Sequence, residues 1–466
     1  MLTGVVDIGK THARLVLLDP RGQVVEQHAC PSSTCMTAGG WRALDSDALW
    51  DWLQDRVSAL GRAHRAELTK LIVTTHGAAV AAVTGNELAL PIPDYEFEGF
   101  DERPDSLTSE LDAFDQTLSP VLPRGLNMGV QLDWLSRHEG AALARADGLM
   151  PYAQYWAWRL SGVRASEVSS LGCHTLLWKP LAGTWSAWAH ARGWSRRFAP
   201  LRPAWDVLGP IRPGLARLLG VRPDLQTHVG AHDSNACLAR WLRHWSHLTL
   251  ISSGTWVVVM APGAKSKTLT PEADELGNVS VHGELVPTAR FMGGRELQTI
   301  CGDADPRLAN LATLEALLAR GLQVMPAFSS QGGPFQGRQG HVLLDGDRRS
   351  PADLPPVERA TAAALYVAQM TARSIERLGG SAPDRSVLLE GPLASNSVVV
   401  AVLAALLPPG TLHVASGAHE GTVIGSFMLA NWVTEKASPG DPIPEESPRI
   451  SEELREQYGC WLAMTA

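Results

Sequence analysis

Both halves of the chain open with the same short pattern: a strand, a turn of glycine and hydroxyl residues, and a second strand. In the first half the pattern is GVVDIGKTHARLVLL, residues 4–18, and in the second half it is LTLISSGTWVVVM, residues 248–260. Aliphatic β-branched residues favour strands, whereas glycine and small hydroxyl residues favour tight turns. The repeat therefore predicts a duplicated α/β fold with domains 1–243 and 244–466 and a cleft between them.

The composition limits the classes of function. The 466 residues exceed one ordinary core, which supports two domains. A net charge of −8 provides no basic stripe for a nucleic-acid partner. No apolar run reaches membrane-spanning length and no leader precedes the first strand, so a location in the cytoplasm without membrane contact is expected. The six cysteines lack metal-ligand spacing and are expected to be reduced and mainly buried. Formation of a homodimer stays open.

The first turn also fits the P-loop pattern G-x-x-x-x-G-K-[ST], through Gly4, Gly9, Lys10 and Thr11. A P-loop needs a flexible anion-wrapping loop followed by a helix. The intervening residues Val5–Ile8 instead favour a strand, and strand patterns follow the turn. We therefore interpret residues 4–28 as a three-strand meander, and strand geometry through Val5–Ile8 would exclude a P-loop kinase.

The two glycine-rich turns predict a clamp for a polyphosphate, because they offer backbone N–H groups and hydroxyls. Either turn alone has a conformational explanation, but their recurrence favours binding. The candidate phosphate-binding residues are Gly9, Lys10, Thr11, Ser253, Gly254 and Thr255. Lys10 is equally consistent with a solvated turn lysine. Asp7, at the end of an apolar strand, either caps the turn or orients Mg²⁺ through water, and we favour the metal.

Asp233 is the candidate catalytic residue. It follows a predicted short strand and begins a helix of small residues, so its carboxylate can face a cleft and accept a proton from a sugar hydroxyl. The structural alternative is an ordinary helix N-cap, and the two roles are compatible.

Three further segments carry candidate ligand contacts. The turn from Gly391 to Asn396 suits the flat approach of a purine, although a plain Gly-Pro turn capped by Ser395 explains it equally well. The pair His76-Gly77 follows a buried strand and can meet substrate hydroxyls, whereas a lone histidine is more often structural. In an irregular loop, Asp94 and Tyr95 offer acceptors for a polyhydroxylated ligand, with solvated loop residues as the alternative.

Taken in order, these motifs resemble those of the FGGY carbohydrate kinases over nearly the whole chain. The motifs are Asp7–Thr11, Thr75–Gly77, Gly230–Asp233, Ser252–Trp256, Gly391–Asn396 and Gly417–Gly425. The resemblance implies two ribonuclease-H-like domains of the actin-like ATPase fold, ATP and Mg²⁺ as cofactors, a sugar acceptor, and Asp233 as base.

Two motifs, Ser252–Trp256 and Gly293–Glu296, look most like the rhamnulokinase and fuculokinase branch. That similarity implies an L-rhamnulose-like or L-fuculose-like ketose phosphorylated on its C1 hydroxyl. Glycerol is disfavoured because His76-Gly77 replaces the Arg-Glu pair that would indicate it. A kinase of another ketose, such as a pentulose, or of a polyol remains an alternative, as does an actin-like conformational ATPase with no small acceptor.

Overall fold

The computed structural model describes residues 1–245, 247–264, 269–415, 421–433 and 442–466. The chain forms two compact units. The first contains Met1–Arg243, Gly277–Leu285 and Glu420–Pro439, and the second contains His244–Leu276, Val286–His419 and Gly440–Ala466. Part of the Gly417–Gly425 motif, residues 416–420, lies outside the described residues.

The first unit is built on a seven-stranded mixed sheet. In sheet order, six of its strands are Val207–Pro210, Gln226–His228, Leu68–Thr75, Leu2–Ile8, His12–Leu18 and Val24–Pro31, and Ala231–His232 also pairs with Leu68–Thr75. The opening three strands pair antiparallel, which confirms the predicted meander. Because Val5–Ile8 lie within a strand and another strand follows the turn, the P-loop alternative is wrong.

Both faces of this sheet are buried, because side chains that alternate along each strand pack into apolar clusters on its two sides. Val6 and Val73 belong to one apolar cluster, whereas Val5 and Ile72 belong to another. Successive strand residues point to opposite faces, so a run of apolar residues fits a sheet covered on both sides. The central strands are thereby packed between two apolar clusters.

Helices and smaller sheets complete the first unit. Its α-helices are Ser46–Ala59, Arg62–Glu67, Leu107–Glu110, Phe114–Thr117, Met128–His138, Gly140–Arg145, Tyr152–Ser161, Val168–Leu171, Ala187–Ala191, Pro213–Leu219, Asp233–Leu242 and Gly421–Ala430. Its 3₁₀ helices are Glu98–Asp101 and Trp194–Arg196. Its small sheets pair Thr34–Met36 with Arg42–Leu44, Trp178–Lys179 with Thr184–Trp185, and Val80–Thr84 with Glu87–Leu88 and Gly148–Pro151.

The second unit is built on another seven-stranded mixed sheet. In sheet order its strands are Glu275–Val279, Leu285–Phe291, Val257–Met260, Leu248–Ser253, Ser386–Glu390, Leu412–Val414 and Ile443–Pro444. Of the first two strands, residues 277–279 and 285 group with the first unit. A three-stranded sheet contains Gln323–Met325, His341–Leu344 and Asp347–Arg349. The α-helices are Gly293–Cys301, Leu311–Ala319, Pro356–Arg377, Ser397–Leu406 and Ser451–Thr465, and the 3₁₀ helices are Pro271–Ala273, Pro306–Leu308, Pro351–Asp353 and Pro392–Ser395. The predicted α/β class is confirmed.

The units differ from the contiguous ranges 1–243 and 244–466 in two segments, which group with the first unit. The helix Gly421–Ala430 packs closely on the helix Asp233–Leu242, since a Cβ at Gly425 would lie 1.8 Å from the carbonyl oxygen of Ala236. The backbone N–H of Gly277 donates to the carbonyl of Leu118 at 2.7 Å. These close contacts, made possible by glycine, explain why the two segments group with the first unit although they follow residue 243 in the sequence.

Within the described part of the chain, no helix has the length and apolar content needed to cross a bilayer.

Candidate active site

Asp233 lies where a short strand turns into a helix. It is the first residue of the helix Asp233–Leu242, and His232 occupies the N-cap position. Oδ1 of Asp233 accepts hydrogen bonds from the backbone N–H of Ser234 at 2.6 Å and from its hydroxyl at 3.2 Å. Among the described residues, none donates a hydrogen bond to Oδ2. The carboxylate is therefore held through one oxygen and can use the other for a ligand.

His76 and Gly77 follow the buried strand Leu68–Thr75, as predicted. Nδ1 of His76 donates to the carbonyl of Gly77 at 2.8 Å, so Nε2 is the acceptor nitrogen. The ring lies 5.6 Å from that of Tyr95 and 5.2 Å from that of Tyr152, between ring centres. Burial lowers the pKa of His76, against the raising effects of its hydrogen bond with Gly77 and of the Asp233 charge. A neutral imidazole near Asp233 can accept a hydrogen bond from a hydroxyl.

Lys10 does not extend into solvent. Its ammonium group donates to Oδ1 of the fully buried Asp94 and lies 4.8 Å from the ring centre of Tyr95. Nε of Arg42 lies 2.6 Å from Oδ2 of Asp94. Burial alone would raise the pKa of Asp94, but hydrogen bonds from Lys10 and the backbone of Glu96, with the charges of Lys10 and Arg42, lower it. The solvated-loop and solvated-lysine alternatives are therefore wrong for Asp94 and Lys10.

Asp7 lies at the end of the central strand and is paired with Arg14. Nη2 of Arg14 is 2.6 Å from Oδ2 of Asp7, and Nε is 3.2 Å from the same oxygen. Burial raises the pKa of Asp7, Arg14 opposes this rise, and the charge of Asp233 adds to it. Oδ1 of Asp7 accepts no hydrogen bond from the described residues, so this oxygen fits a hydrated Mg²⁺.

The turn between the first two strands is held by its backbone. The N–H of Gly9 donates to the carbonyl of His12 at 2.9 Å, and its carbonyl accepts from the hydroxyl of Ser32 at 2.8 Å. The Thr11 side chain is exposed. Lys10 and His76 also line a cavity of about 170 Å³ in the first unit. This volume is below the roughly 300–1,000 Å³ of typical drug-sized ligand sites, so its occupant must be small.

The equivalent turn of the second unit packs against the Gly391 turn. The hydroxyl of Ser253 donates to the carbonyl of Glu390 at 2.5 Å and accepts from the N–H of Leu393 at 3.1 Å. Gly391 has a φ of +89°, and a Cβ there would lie 1.9 Å from the carbonyl oxygen of Ser253. Ser253 and Gly391 thus hold the two turns together.

A cavity of about 500 Å³ lies beside these turns. Gly254, Thr255, Gly294, Leu297 and Asn396 are among the residues that line it. Oδ1 of Asn396 accepts from the backbone N–H groups of Val398 and Val399 at 3.1 and 3.2 Å, so Asn396, and not Ser395, caps the helix Ser397–Leu406. The cavity combines apolar and polar lining residues, as small-molecule and cofactor sites do.

The structure thus gathers the predicted residues into two groups. In the first unit, the charge of Asp233 affects the pKa values of Asp7, His76 and Tyr95. In the second unit, Gly254, Thr255 and Asn396 line one cavity and Ser253 and Gly391 support it.

Sequence reasoning missed several side chains of these groups. Arg14 could have been found by counting the hairpin register, because a pairing of Ile8 with Ala13 places Asp7 opposite Arg14. Arg42, Cys173 and His232 carried no such local signal.

Comparison with known proteins agrees with this arrangement. The family described as carbohydrate kinase FGGY, C-terminal domain, matches residues 246–439. A carbohydrate kinase from Novosphingobium aromaticivorans is 33% identical, with 99% of this chain and 100% of that chain covered and a TM-score of 0.87. Comparison with curated proteins gives no match.

Two more distant structures share the fold. A xylulose kinase from Rhodospirillum rubrum is 19% identical with a TM-score of 0.78, and covers 100% of this chain and 98% of that chain. A glycerol kinase from Plasmodium falciparum, solved with ADP, is 9% identical with the same TM-score and the same coverage.

The fold and the matches define a carbohydrate kinase, a phosphotransferase acting on a small molecule. The chain belongs to the FGGY family of carbohydrate kinases. The actin-like conformational ATPase is thereby excluded as its class.

Proposed function

We propose that this enzyme transfers the γ-phosphate of ATP to a hydroxyl of a ketose, with Asp233 as the general base. The observation that carries the proposal is the fixed carboxylate of Asp233, whose Oδ1 is held by Ser234 while its side chain remains 31% exposed. Such a carboxylate can orient the acceptor hydroxyl and take its proton as the oxygen attacks phosphorus.

Phosphoryl transfer of this kind requires no covalent intermediate with the protein. The transition state of phosphoryl transfer is loose, so positioning and compensation of charge supply most of the acceleration. In the first unit, His76 accepts a hydrogen bond from the sugar through Nε2, and Tyr95 frames the acceptor while the buried Asp94 acts through Lys10, which it binds. Gly77 lacks a side chain, and the ring of His232 lies 2.9 Å from where its Cβ would be.

For ATP we propose the cavity of the second unit. The purine lies against Gly391 and Asn396. In the turn of Ser253, Gly254 and Thr255, the N–H group and hydroxyl of Thr255 face phosphate oxygens, since the N–H of Gly254 donates to the carbonyl of Trp256 at 2.8 Å. For phosphate we also propose the matching turn of the first unit, with Gly9 and Thr11. Lys10, being paired with Asp94, contributes its charge to this region while remaining bound to the carboxylate.

Mg²⁺ would be held near Asp7, mainly through water, and would neutralise charge on the phosphates. Arg14 leaves one oxygen of Asp7 for this purpose. A side chain already balanced by a cation would hold the metal weakly, which suits an ion that arrives with its nucleotide.

The acceptor is proposed to be a ketose phosphorylated on its C1 hydroxyl, with L-rhamnulose and L-fuculose suggested by the motifs Ser252–Trp256 and Gly293–Glu296. A pentulose fits equally well, since one solved structure of the same fold is a xylulose kinase. Polyols remain the second alternative, since another is a glycerol kinase.

The test is a substrate panel followed by replacement of the base. ADP release is measured with L-rhamnulose, L-fuculose, D-xylulose, gluconate and glycerol. Asp233→Asn should lower kcat about 10²- to 10⁴-fold on the best acceptor without changing ADP affinity. Asp224→Asn, an exposed aspartate of the same unit, is the control. Full activity of Asp233→Asn would show that Asp233 is not the general base. ADP release with polyols alone would show that the acceptor is not a ketose.

A further inference from the structure

Three buried side chains lie close to Asp233. Cys173, His232 and Asn235 are 2%, 7% and 1% exposed. Cys173 follows the helix Val168–Leu171, whereas His232 and Asn235 flank the start of the helix that carries Asp233. None of them contacts the acceptor in the function proposed above.

One ring nitrogen of His232 faces two groups that can bear negative charge. Nε2 lies 3.0 Å from Oδ1 of Asp233 and 3.8 Å from Sγ of Cys173. The second distance is within the range of hydrogen bonds that involve sulfur. An imidazole between a carboxylate and a thiol is stabilised in its charged form, because a thiolate and an imidazolium satisfy each other.

The other ring nitrogen of His232 faces the side-chain amide of Asn235. This amide can pair with either the neutral or the charged imidazole. Nδ1 of His232 lies 3.3 Å from Nδ2 of Asn235, whose Oδ1 is buried and has no hydrogen-bond partner among the described residues. Rotation of this amide by half a turn brings Oδ1 to Nδ1–H. A doubly protonated His232 then has an acceptor for each N–H.

We propose that Cys173 and His232 form a buried thiolate–imidazolium pair in which His232 is a positioning residue that holds Oδ1 of Asp233. The inference rests on the proposed role of Asp233 as base. With Oδ1 occupied by His232 and Ser234, the carboxylate can present only Oδ2 to the acceptor.

The electrostatic environment supports this pair. Burial alone would raise the pKa of Cys173, but the charges of His174 and His232 outweigh burial and lower it to about 5. Burial alone would lower the pKa of His232, but Cys173 and Asp233 outweigh burial and raise it to about 9. Cys301, a buried thiol with no imidazole partner in the described part of the chain, shows the opposite shift, since burial raises its pKa to about 11.

Three other titratable groups surround the pair. His174, whose charge also acts on Cys173, donates from Nδ1 to the carbonyl of Leu126 at 2.9 Å. Glu167 adds a negative charge, and its oxygens accept four hydrogen bonds from Ser169 and Ser170 at 2.7 to 3.1 Å. His76 is disfavoured as a cation, and its pKa is lowered partly by His232. The ring of His232 packs on Gly77, where a Cβ would approach it to 2.9 Å.

The first test needs no kinase assay. Ultraviolet absorbance of thiolates is followed in the folded full-length enzyme during a pH titration, with denatured enzyme as reference. One thiolate is expected in the folded enzyme at neutral pH. It should disappear in Cys173→Ser and persist in Cys301→Ser, the matched buried control. Absence of an ionised thiol near neutral pH in the folded wild type would overturn the pair.

The second test addresses positioning. His232→Asn and Cys173→Ser should each lower kcat about tenfold, because a base displaced by a fraction of an ångström loses alignment, while ADP affinity stays unchanged. In wild type, part of the change of kcat with pH should follow the titration of Cys173 and His232. This part should be absent from the pH profiles of both variants. If Asp233→Asn is inactive but these variants keep the wild-type kcat and pH profile, positioning by His232 is wrong. If Asp233→Asn is fully active, the proposed base itself fails, whatever the thiol titration shows.

Discussion

Asp7 and Arg14 face each other across the first hairpin, with Nη2 of Arg14 2.6 Å from Oδ2 of Asp7. The carboxylate at the end of the central strand is therefore charge-compensated through one oxygen. Its other oxygen receives no hydrogen bond within the described residues. Burial disfavours the charged form of Asp7. The ion pair with Arg14 offsets part of this cost.

Asp7→Asn should weaken catalysis without loss of stability. The pKa of Asp7 in the folded state lies above the ordinary value of 3.8, so the folded state binds this proton more tightly than the unfolded state does. The free energy of unfolding therefore falls as pH rises from 3.8 through the folded-state pKa, and the asparagine variant lacks this decrease. Denaturant unfolding at several pH values should show a flatter profile, and kcat with MgATP should fall at least about tenfold. A variant less stable than wild type at neutral pH would contradict the expectation.

Asp94→Asn should cost stability at neutral pH. The change leaves Lys10 and Arg42 beside a neutral amide, for a loss of about 2 kcal/mol in the free energy of unfolding. Because the pKa of Asp94 is lowered, its stabilisation is present above 3.8 and is lost as pH falls through the folded-state pKa. The difference from wild type should therefore shrink in acid. Glu96→Gln, at a half-exposed neighbour, is the control and should change stability by less than about 1 kcal/mol. Equal effects of the two variants would contradict a special role of the buried carboxylate.

Two glycines of the second unit should respond differently to alanine. Gly391→Ala forces a side chain into a backbone with a φ of +89° and against the carbonyl of Ser253, which should cost about 3 kcal/mol and abolish ADP binding. At Gly254 the nearest atom to an added Cβ is 3.9 Å away, so Gly254→Ala should stay within about 0.5 kcal/mol of wild type. Thermal unfolding and calorimetric titration with ADP provide the measurements. Wild-type stability of Gly391→Ala would show that this turn can relax.

His76 should make the protein sensitive to mild acid. Its pKa in the folded state is lowered from 6.5 by burial, so the unfolded state binds the proton first. The free energy of unfolding should therefore fall as pH drops below 6.5 and continue to fall until the folded-state pKa is reached. His76→Gln should reduce this acid loss, whereas His12→Gln, at an exposed position, should not. Parallel pH profiles for His76→Gln and wild type would contradict the assignment.

Much of the architecture was predictable from local signals. The alternation of Val5 and Val6 on opposite faces predicts a doubly covered strand, and the Gly9 turn predicts a hairpin, because side-chain period and turn chemistry act over a few residues. The position of Asp233 at the start of a helix was predictable for the same reason. These features depend on neighbours in sequence.

The partners of the site residues were decided by tertiary packing. Lys10 is paired with Asp94, 84 residues away, and Cys173 meets His232, 59 residues away. The segments 277–285 and 420–439 join the first unit although they follow its boundary in sequence. The sequence by itself determined which elements form and which carboxylates stand at their ends. Only the tertiary structure decided which charge each of them meets, because ion pairing and burial depend on distances that chain order does not contain.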